Sequence, residues 1–119
     1  MTLSTQDLLA QTSQHQVSAL DTAAVQQHLP LVPGWTVDHA KLTKAFAFQD
    51  YHETLAFINA IAYVIHAEDH HPELLVTYNR CVVKFDTHSV NQGKGGLSIN
   101  DFICAAKVDA IFHQTFSRP

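Results

Sequence analysis

The chain has 119 residues, a formal net charge of -4 and 46% hydrophobic residues, which suits one domain with a single core. Its Lys and Arg residues are scattered, so it lacks the basic stripe that neutralises phosphates, and nucleic acid is excluded as an expected partner. No window has the apolar length of a membrane span, and the first sixteen residues do not follow the signal-peptide pattern. We therefore expect a soluble, cytoplasmic protein without a membrane partner.

Histidine is the unusual feature of the composition, because its nine copies outnumber Lys and Arg combined. Two cysteines, Cys81 and Cys104, have no metal-ligand spacing and are expected to be small core residues. Five histidines are interpreted as plain surface residues: His15, His28, His39, His52 and His113.

The N-terminal part of the chain is rich in Ser, Thr and Gln. We expect residues 1–17 to form an extension that is mobile or loosely docked, although Ser4 with Asp7 could cap a short helix. Residues 18–119 are predicted to form the folded domain. Its first helix is expected in the Ala-rich run from Ser18 to Leu29, with Ser18 or Asp21 as its N-cap.

Two pairs of strands are predicted from alternating apolar and polar residues and from turn signals between them. The first pair covers residues 35–38 and 42–48, and the second covers residues 74–78 and 81–88. Alternation in the last strand puts His88 on its polar face or at its end.

A long helix is expected between the two strand pairs, from Tyr51 to about Asp69, with Asp50 as its N-cap. Pro72 disfavours helical geometry in the residue before it, so the chain should leave the helix at about His70 or His71. The buried stripe of this helix is predicted from four apolar residues at helical spacing: Leu55, Ile58, Ala62 and Ile65.

A final helix is predicted to about Phe116, with Ser98 and Asp101 as its capping box, after a glycine-rich flexible loop at residues 91–96. The element order is helix, two strands, helix, two strands, helix. This order predicts an α+β fold with a four-stranded antiparallel sheet and three helices on one face. The edges of so small a sheet favour dimerisation through strands.

Four histidines are candidates for chemistry: His66, His70, His71 and His88. Imidazole titrates near neutrality, so a cluster can provide both a base and an acid for proton transfer. A zinc site built from His66 and His70 with Glu68, Asp69 or His88 is an alternative, but the HExxH signature is absent. Another alternative is that some of these histidines only end the helix, where its dipole favours an imidazolium.

One pattern in the chain resembles the pterin-4a-carbinolamine dehydratase family. The similarity extends through residues 33–35, residues 46–48 and the end of the long helix, and it covers about the last hundred residues. The positions that carry it are His70, His71, Pro72, Glu73, Tyr78, His88 and Asp101.

The resemblance implies dehydration of 4a-hydroxytetrahydropterin to quinonoid dihydropterin and water, without a metal or other cofactor. It also implies a role in tetrahydrobiopterin recycling beside an aromatic amino acid hydroxylase, and a homodimer or homotetramer. The alternative within the same fold is a non-catalytic binding or regulatory module with a coactivator-like or assembly role. By position, the catalytic residues are His70, His71 and His88, and the substrate-binding residues are Pro72, Thr87, Ser89, Asp101 and His66.

Two departures from the family pattern are visible in the chain. Many members carry a glutamate where this chain has His66, and the loop between His88 and Asp101 is longer and richer in glycine than in compact relatives. Our hypothesis is that His71 is the most essential residue and that His70 and His88 act as acids.

Overall fold

The computed structural model describes residues 3–116, and these residues form an α+β fold, as predicted. A short 3-10 turn at Leu29–Leu31 follows the second helix, another lies at Asn91–Gly93, and a π-helical turn at Phe112–Phe116 extends the last helix. The helices and strands are α1 (Thr5–Ala10), α2 (Thr22–His28), β1 (Thr36–Asp38), β2 (Lys41–Ala47), α3 (Tyr51–Glu68), β3 (Glu73–Thr77), β4 (Arg80–Phe85) and α4 (Ile99–Ile111).

The four strands form one antiparallel sheet in the order β1-β2-β4-β3, which confirms the predicted sheet. The central strands pair with Leu42 opposite Phe85 and Phe46 opposite Cys81. Because side chains alternate along a strand, these residues share one face, and all of them are buried in the core. The edge strands are β1 and β3.

The buried stripe of α3 differs from the prediction. Leu55 is 39% exposed and Ala62 is exposed, whereas Ile58 and Ile65 are only partly buried. Apolar residues occur on more than one side of this helix, so spacing alone could not identify the side that faces the sheet. The stripe that is buried consists of Thr54, Phe57, Ile61, Val64 and Glu68.

The C-terminal end of α3 lies within one residue of the predicted end at about Asp69, but a left-handed cap rather than Pro72 forms it. The helix ends at Glu68, and Asp69 adopts a left-handed conformation with φ 49°. The backbone N–H of His70 then donates to the carbonyl of Ile65 at 3.3 Å. This left-handed cap turns the chain before the proline can act. His70 is therefore outside the helix and does not share a helical face with His66.

The N-terminal segment contacts α4 through α1. A capping box of Ser4 and Asp7 begins α1, as the sequence suggested, and Leu8 is fully buried in the core. The predicted division of the chain at residue 17 stays a prediction. Farther along, Asp21 caps α2, which begins at Thr22 and ends at His28, so Asp21 and not Ser18 is the cap of the predicted helix.

A buried polar cluster joins α4 to the sheet on the core side. The indole Nε1 of Trp35 donates to Oδ1 of Asp109 at 3.0 Å, and Nζ of Lys44 donates to the same oxygen at 3.0 Å. The charge of Asp109 is thus paired within the protein. Within residues 3–116, no helix is long and apolar enough to cross a membrane.

Candidate active site

A pocket of about 350 Å³ lies where the ends of several elements converge. Its walls come from residues 13–16 of the N-terminal segment, residues 68–71 at the end of α3, residues 86–89 after β4, and Asn100 in the first turn of α4. Small-molecule sites usually occupy about 300–1,000 Å³, so the volume suits one small ring system. The lining is rich in polar and titratable groups.

Local structure presents two of these walls to the pocket. The left-handed cap at Asp69 turns His70 and His71 out of the helix axis. After β4, Thr87 forms a bridge with Gly96 through two backbone hydrogen bonds, of 2.8 and 3.2 Å. This bridge closes the glycine-rich loop and holds Thr87, and with it the neighbouring His88, at the pocket.

His70 is the most constrained histidine of the pocket. Its Nε2 donates to Oδ1 of Asp101 at 2.6 Å, and its ring stacks on Phe85 with 8° between the planes and 5.8 Å between the centroids. The side chain is only 11% exposed. Since an ionised carboxylate only accepts hydrogen bonds, the proton is on Nε2, and Nδ1 is the nitrogen available for exchange with a ligand.

Asp101 is fully buried and its second oxygen is also occupied. Oδ2 accepts hydrogen bonds from the hydroxyl of Thr87 and from the backbone N–H of Ser98, both at 2.9 Å. Because the single hydroxyl hydrogen of Thr87 goes to Asp101, the 2.7 Å contact between Thr87 and Ser98 has the Ser98 hydroxyl as donor. The capping box of α4 therefore also orients His70.

The other two predicted catalytic histidines are open to solvent. The side chain of His71 is 71% exposed and its Nε2 is 3.7 Å from Oδ1 of Asp69. The side chain of His88 is 84% exposed and its Nε2 is 3.8 Å from Oδ1 of Asp86. Both distances are too long for hydrogen bonds, so neither imidazole is fixed by a protein partner at these atoms.

The structure brings most of the predicted site residues to one pocket. Among them, His70, His71, His88, Thr87 and Ser89 line it. Three others do not line the pocket formed by the described residues. Asp101 is hydrogen-bonded to the lining residue His70, Pro72 is half-buried and follows His71 in the chain, and His66 is exposed on α3.

Sequence reasoning missed the wall formed by residues 13–16. Ser13 donates its backbone N–H to Oε1 of Glu68 at 2.7 Å, and Gln14 exchanges two hydrogen bonds with the side chain of Asn100, of 3.2 and 2.6 Å. The hydroxyl of Ser89 donates to the carbonyl of Gln16. These contacts join residues far apart in the chain, so no local pattern announces them.

Two histidines that we had expected to be plain surface residues have other surroundings. His15 lines the pocket. His28 is half-buried, its Nδ1 lies 2.6 Å from the carbonyl oxygen of Ala24, and its ring packs on Phe102 at 5.2 Å.

Glu68 is the ionised group that joins this wall to the core. Burial alone would raise the pKa of Glu68. The hydrogen bonds from Lys107, which lies 2.7 Å away, and from Ser13 outweigh burial, and together with the positive charge of Lys107 they lower the pKa below its ordinary value. The carboxylate therefore stays charged at neutral pH and accepts hydrogen bonds from both partners.

The residues predicted as alternative zinc ligands are not grouped in the structure. His66 is in the last turn of α3, whereas His70 follows the end of the helix. Within residues 3–116, no three His, Cys, Asp or Glu side chains are grouped closely enough to hold a metal ion. Cys81 and Cys104 are buried free thiols, as predicted.

Comparison with known proteins adds independent information. A sequence model of the family described as pterin 4 alpha carbinolamine dehydratase matches residues 18–111. The chain is 51% identical to a Bdellovibrio bacteriovorus protein over 97% of this chain and 96% of that protein, and 47% identical to a Chromobacterium violaceum protein over 89% and 94%. The names of both relatives refer to pterin-4-alpha-carbinolamine dehydratase.

Among solved structures, the chain is similar to a transcriptional coactivator/pterin dehydratase from Brucella melitensis. The TM-score is 0.71 at 29% identity, and the alignment covers 79% of this chain and 98% of that chain.

Proposed function

Because this chain belongs to the pterin 4 alpha carbinolamine dehydratase family, we propose that it dehydrates 4a-hydroxytetrahydropterin by histidine acid-base catalysis. As a member of this family it is a dehydratase, an enzyme that removes water. The observation that carries the proposal is the convergence of His70, His71 and His88 on one pocket of suitable volume.

The reaction needs only proton transfers. The bond between C4a and the hydroxyl oxygen breaks, the oxygen leaves as water after gaining a proton, and a ring nitrogen loses a proton to form the quinonoid dihydropterin. No net proton or electron is consumed, so the chemistry requires one acid at the leaving hydroxyl and one base at a ring nitrogen. Imidazoles fill both roles near neutral pH.

The three histidines are suited to different parts of this cycle. His70 is held by Asp101 with Nδ1 as its exchanging nitrogen, whereas His71 and His88 are exposed and free to turn towards a ligand. In our proposal His71 is the most essential group, and His70 and His88 protonate the leaving hydroxyl. Thr87, Ser89, Pro72 and His66 are the further residues proposed to support substrate binding. No metal or organic cofactor takes part in the proposed reaction.

The proposed context is recycling of tetrahydrobiopterin in the cytoplasm, next to an aromatic amino acid hydroxylase that makes the carbinolamine. A homodimer or homotetramer is proposed as well. The edge strand β3 supports it, since among the described residues β3 pairs only with β4, and Leu75 and Tyr78 beside this edge are 58% and 64% exposed.

A second candidate function is a binding or regulatory role on the same fold. It is favoured by the similar Brucella melitensis chain, which is titled a transcriptional coactivator as well as a pterin dehydratase. The exposed aromatic Tyr63 on α3, 76% accessible, is a surface feature suited to a protein partner. This role would not need the pocket histidines.

A spectroscopic assay separates the two functions. The carbinolamine is generated by an aromatic amino acid hydroxylase, and its dehydration is followed with the purified chain or with a variant in which His70, His71 and His88 are all alanine. Acceleration by the wild type that is lost in the triple variant would support the dehydratase. A wild type without acceleration would favour the binding role instead. Stoichiometric zinc bound by the active protein would contradict the metal-free mechanism.

A further inference from the structure

We infer that residues 13–16, here called the N-terminal strap, form a substrate-binding wall of the pocket and that His15 contacts the bound pterin. The inference rests on the proposed function, because it assigns a further residue to the same substrate. The strap lies outside residues 18–111, the range matched by the family model, so that model assigns no role to it.

The strap is docked mainly through hydrogen bonds to its backbone, and the Ser13 hydroxyl also lies 3.8 Å from Sγ of the buried Cys104. The carboxylate of Glu68 accepts a hydrogen bond from the N–H of Ser13. The side-chain amide of Asn100 accepts from the N–H of Gln14 and donates to its carbonyl, and the hydroxyl of Ser89 donates to the carbonyl of Gln16. All three anchoring residues also line the pocket.

The chain is held on both sides of the strap as well. On the N-terminal side, Leu8 is fully buried against the core. On the C-terminal side, the N–H of Leu20 donates to the carbonyl of Leu97 at 2.8 Å. With three of its four residues hydrogen-bonded to the domain through their backbone, the strap holds His15 at the pocket at a lower ordering cost than a free segment would have on binding a ligand.

His15 is the strap residue best suited to contact a ligand. His15 lines the pocket and is exposed, and within residues 3–116 its imidazole makes no hydrogen bond. An imidazole with both nitrogens unbonded to protein can donate to one polar atom of a ligand and accept from another. The pterin ring carries both donors and acceptors along its edge, which matches this capacity.

His15 is proposed as a binding residue and not as a further acid or base, which separates it from His71. Loss of one ligand hydrogen bond of ordinary strength weakens binding by about three- to tenfold. We therefore expect His15→Ala to raise KM about three- to tenfold and to leave kcat within about twofold of wild type. His52→Ala is the matched control, since His52 is an exposed histidine on α3 that does not line the pocket.

Direct binding of 7,8-dihydropterin, a stable analogue of the product, gives a readout that is independent of turnover. Calorimetry should give a Kd for His15→Ala that is about three- to tenfold above that of the wild type and of His52→Ala. Unchanged KM and Kd in His15→Ala, with an active wild type, would overturn this inference and leave the dehydratase proposal intact. A wild type that neither binds dihydropterin nor dehydrates the carbinolamine would overturn both.

A double-mutant cycle tests whether docking of the strap is what brings His15 to the substrate. Asn100→Ala removes both hydrogen bonds to Gln14, so it should loosen the strap and raise KM by itself. If the strap acts through its docked position, adding His15→Ala to Asn100→Ala should raise KM by clearly less than the product of the two single effects. Effects that multiply fully would overturn the proposed role of docking.

Discussion

Nε2 of His70 and Oδ1 of Asp101 are joined by a 2.6 Å hydrogen bond across 31 positions of the chain. The bond couples the left-handed end of α3 to the first turn of α4, where Asp101 completes the capping box with Ser98. One carboxylate therefore begins a helix and orients an imidazole at the pocket. Asp101 is fully buried, so its carboxylate performs both tasks without contact with solvent.

Replacing Asp101 with asparagine should lower kcat for dehydration while the protein still folds. An amide has one acceptor oxygen and a donor NH₂, so it cannot accept from His70, Thr87 and Ser98 together, and one donor is left facing another. We expect kcat to fall by at least about tenfold, short of the roughly 10²–10⁴-fold that a whole general acid or base contributes.

The matched control for this substitution is Asp109→Asn, a buried carboxylate on the same helix whose partners are Trp35 and Lys44. Both variants should lose about 1–3 kcal/mol in unfolding free energy. Only Asp101→Asn should lower kcat. Equal kcat in the two variants, measured on folded protein, would contradict the orienting role of Asp101.

Stability should depend on the charge of Glu68 at acidic pH. Its pKa in the folded protein is lowered, so its ionised form contributes stability that is complete above about pH 4.5, its ordinary value, and is lost as the pH falls through the lower folded pKa. Urea unfolding of wild type and Glu68→Gln should differ most near neutrality, and the difference should shrink below about pH 4.5. A difference that stays constant down to acidic pH would contradict this linkage.

The packing of α3 can be tested with two apolar residues of the same helix. Phe57 is fully buried, so Phe57→Ala should cost about 3–5 kcal/mol of unfolding free energy. Leu55 is 39% exposed, so Leu55→Ala should change it by no more than about 0.5 kcal/mol. A larger loss at Leu55 than at Phe57, measured by chemical denaturation, would mean that the stripe predicted from sequence spacing is the buried one after all.

The two thiols should be inert while the protein is folded. Burial raises the pKa of Cys81 to about 11, and burial is also the main reason that the pKa of Cys104 rises to about 12. The reactive thiolate is therefore scarce at about pH 8 and both sulfurs are fully covered. Ellman's reagent should titrate neither thiol in buffer and both in denaturant. Rapid modification of a thiol in the native protein would be inconsistent with this packing.

Element order and sheet type could be predicted from the sequence because their signals are local. Alternation defined the strands, and the capping boxes at Ser4 and Ser98 marked helix starts that the structure confirms. The end of α3 was predicted to within one residue from Pro72, although the structure forms it with a left-handed Asp69, which has little sequence signal. The predicted buried stripe of α3 was wrong because the side of the helix that faces the sheet is determined by tertiary packing and not by local sequence.

The pocket could be predicted only in part, for a related reason. His70, His71 and His88 stood out by composition and spacing, and all three line the pocket. The strap did not stand out, because its polar residues carry no periodicity and its position depends on hydrogen bonds to Glu68 and Asn100, which lie far along the chain. The role of His66 stays a prediction, with the residue exposed on α3.

The rate of enzymatic carbinolamine dehydration by wild type and His71→Ala, with His52→Ala as the surface control, tests the central claim most directly. If His71 transfers protons in the pocket, its removal should lower kcat by roughly 10²–10⁴-fold, while His52→Ala should match the wild type. His71 is exposed, so the variant should fold normally. Turnover by His71→Ala equal to that of the wild type would contradict the account.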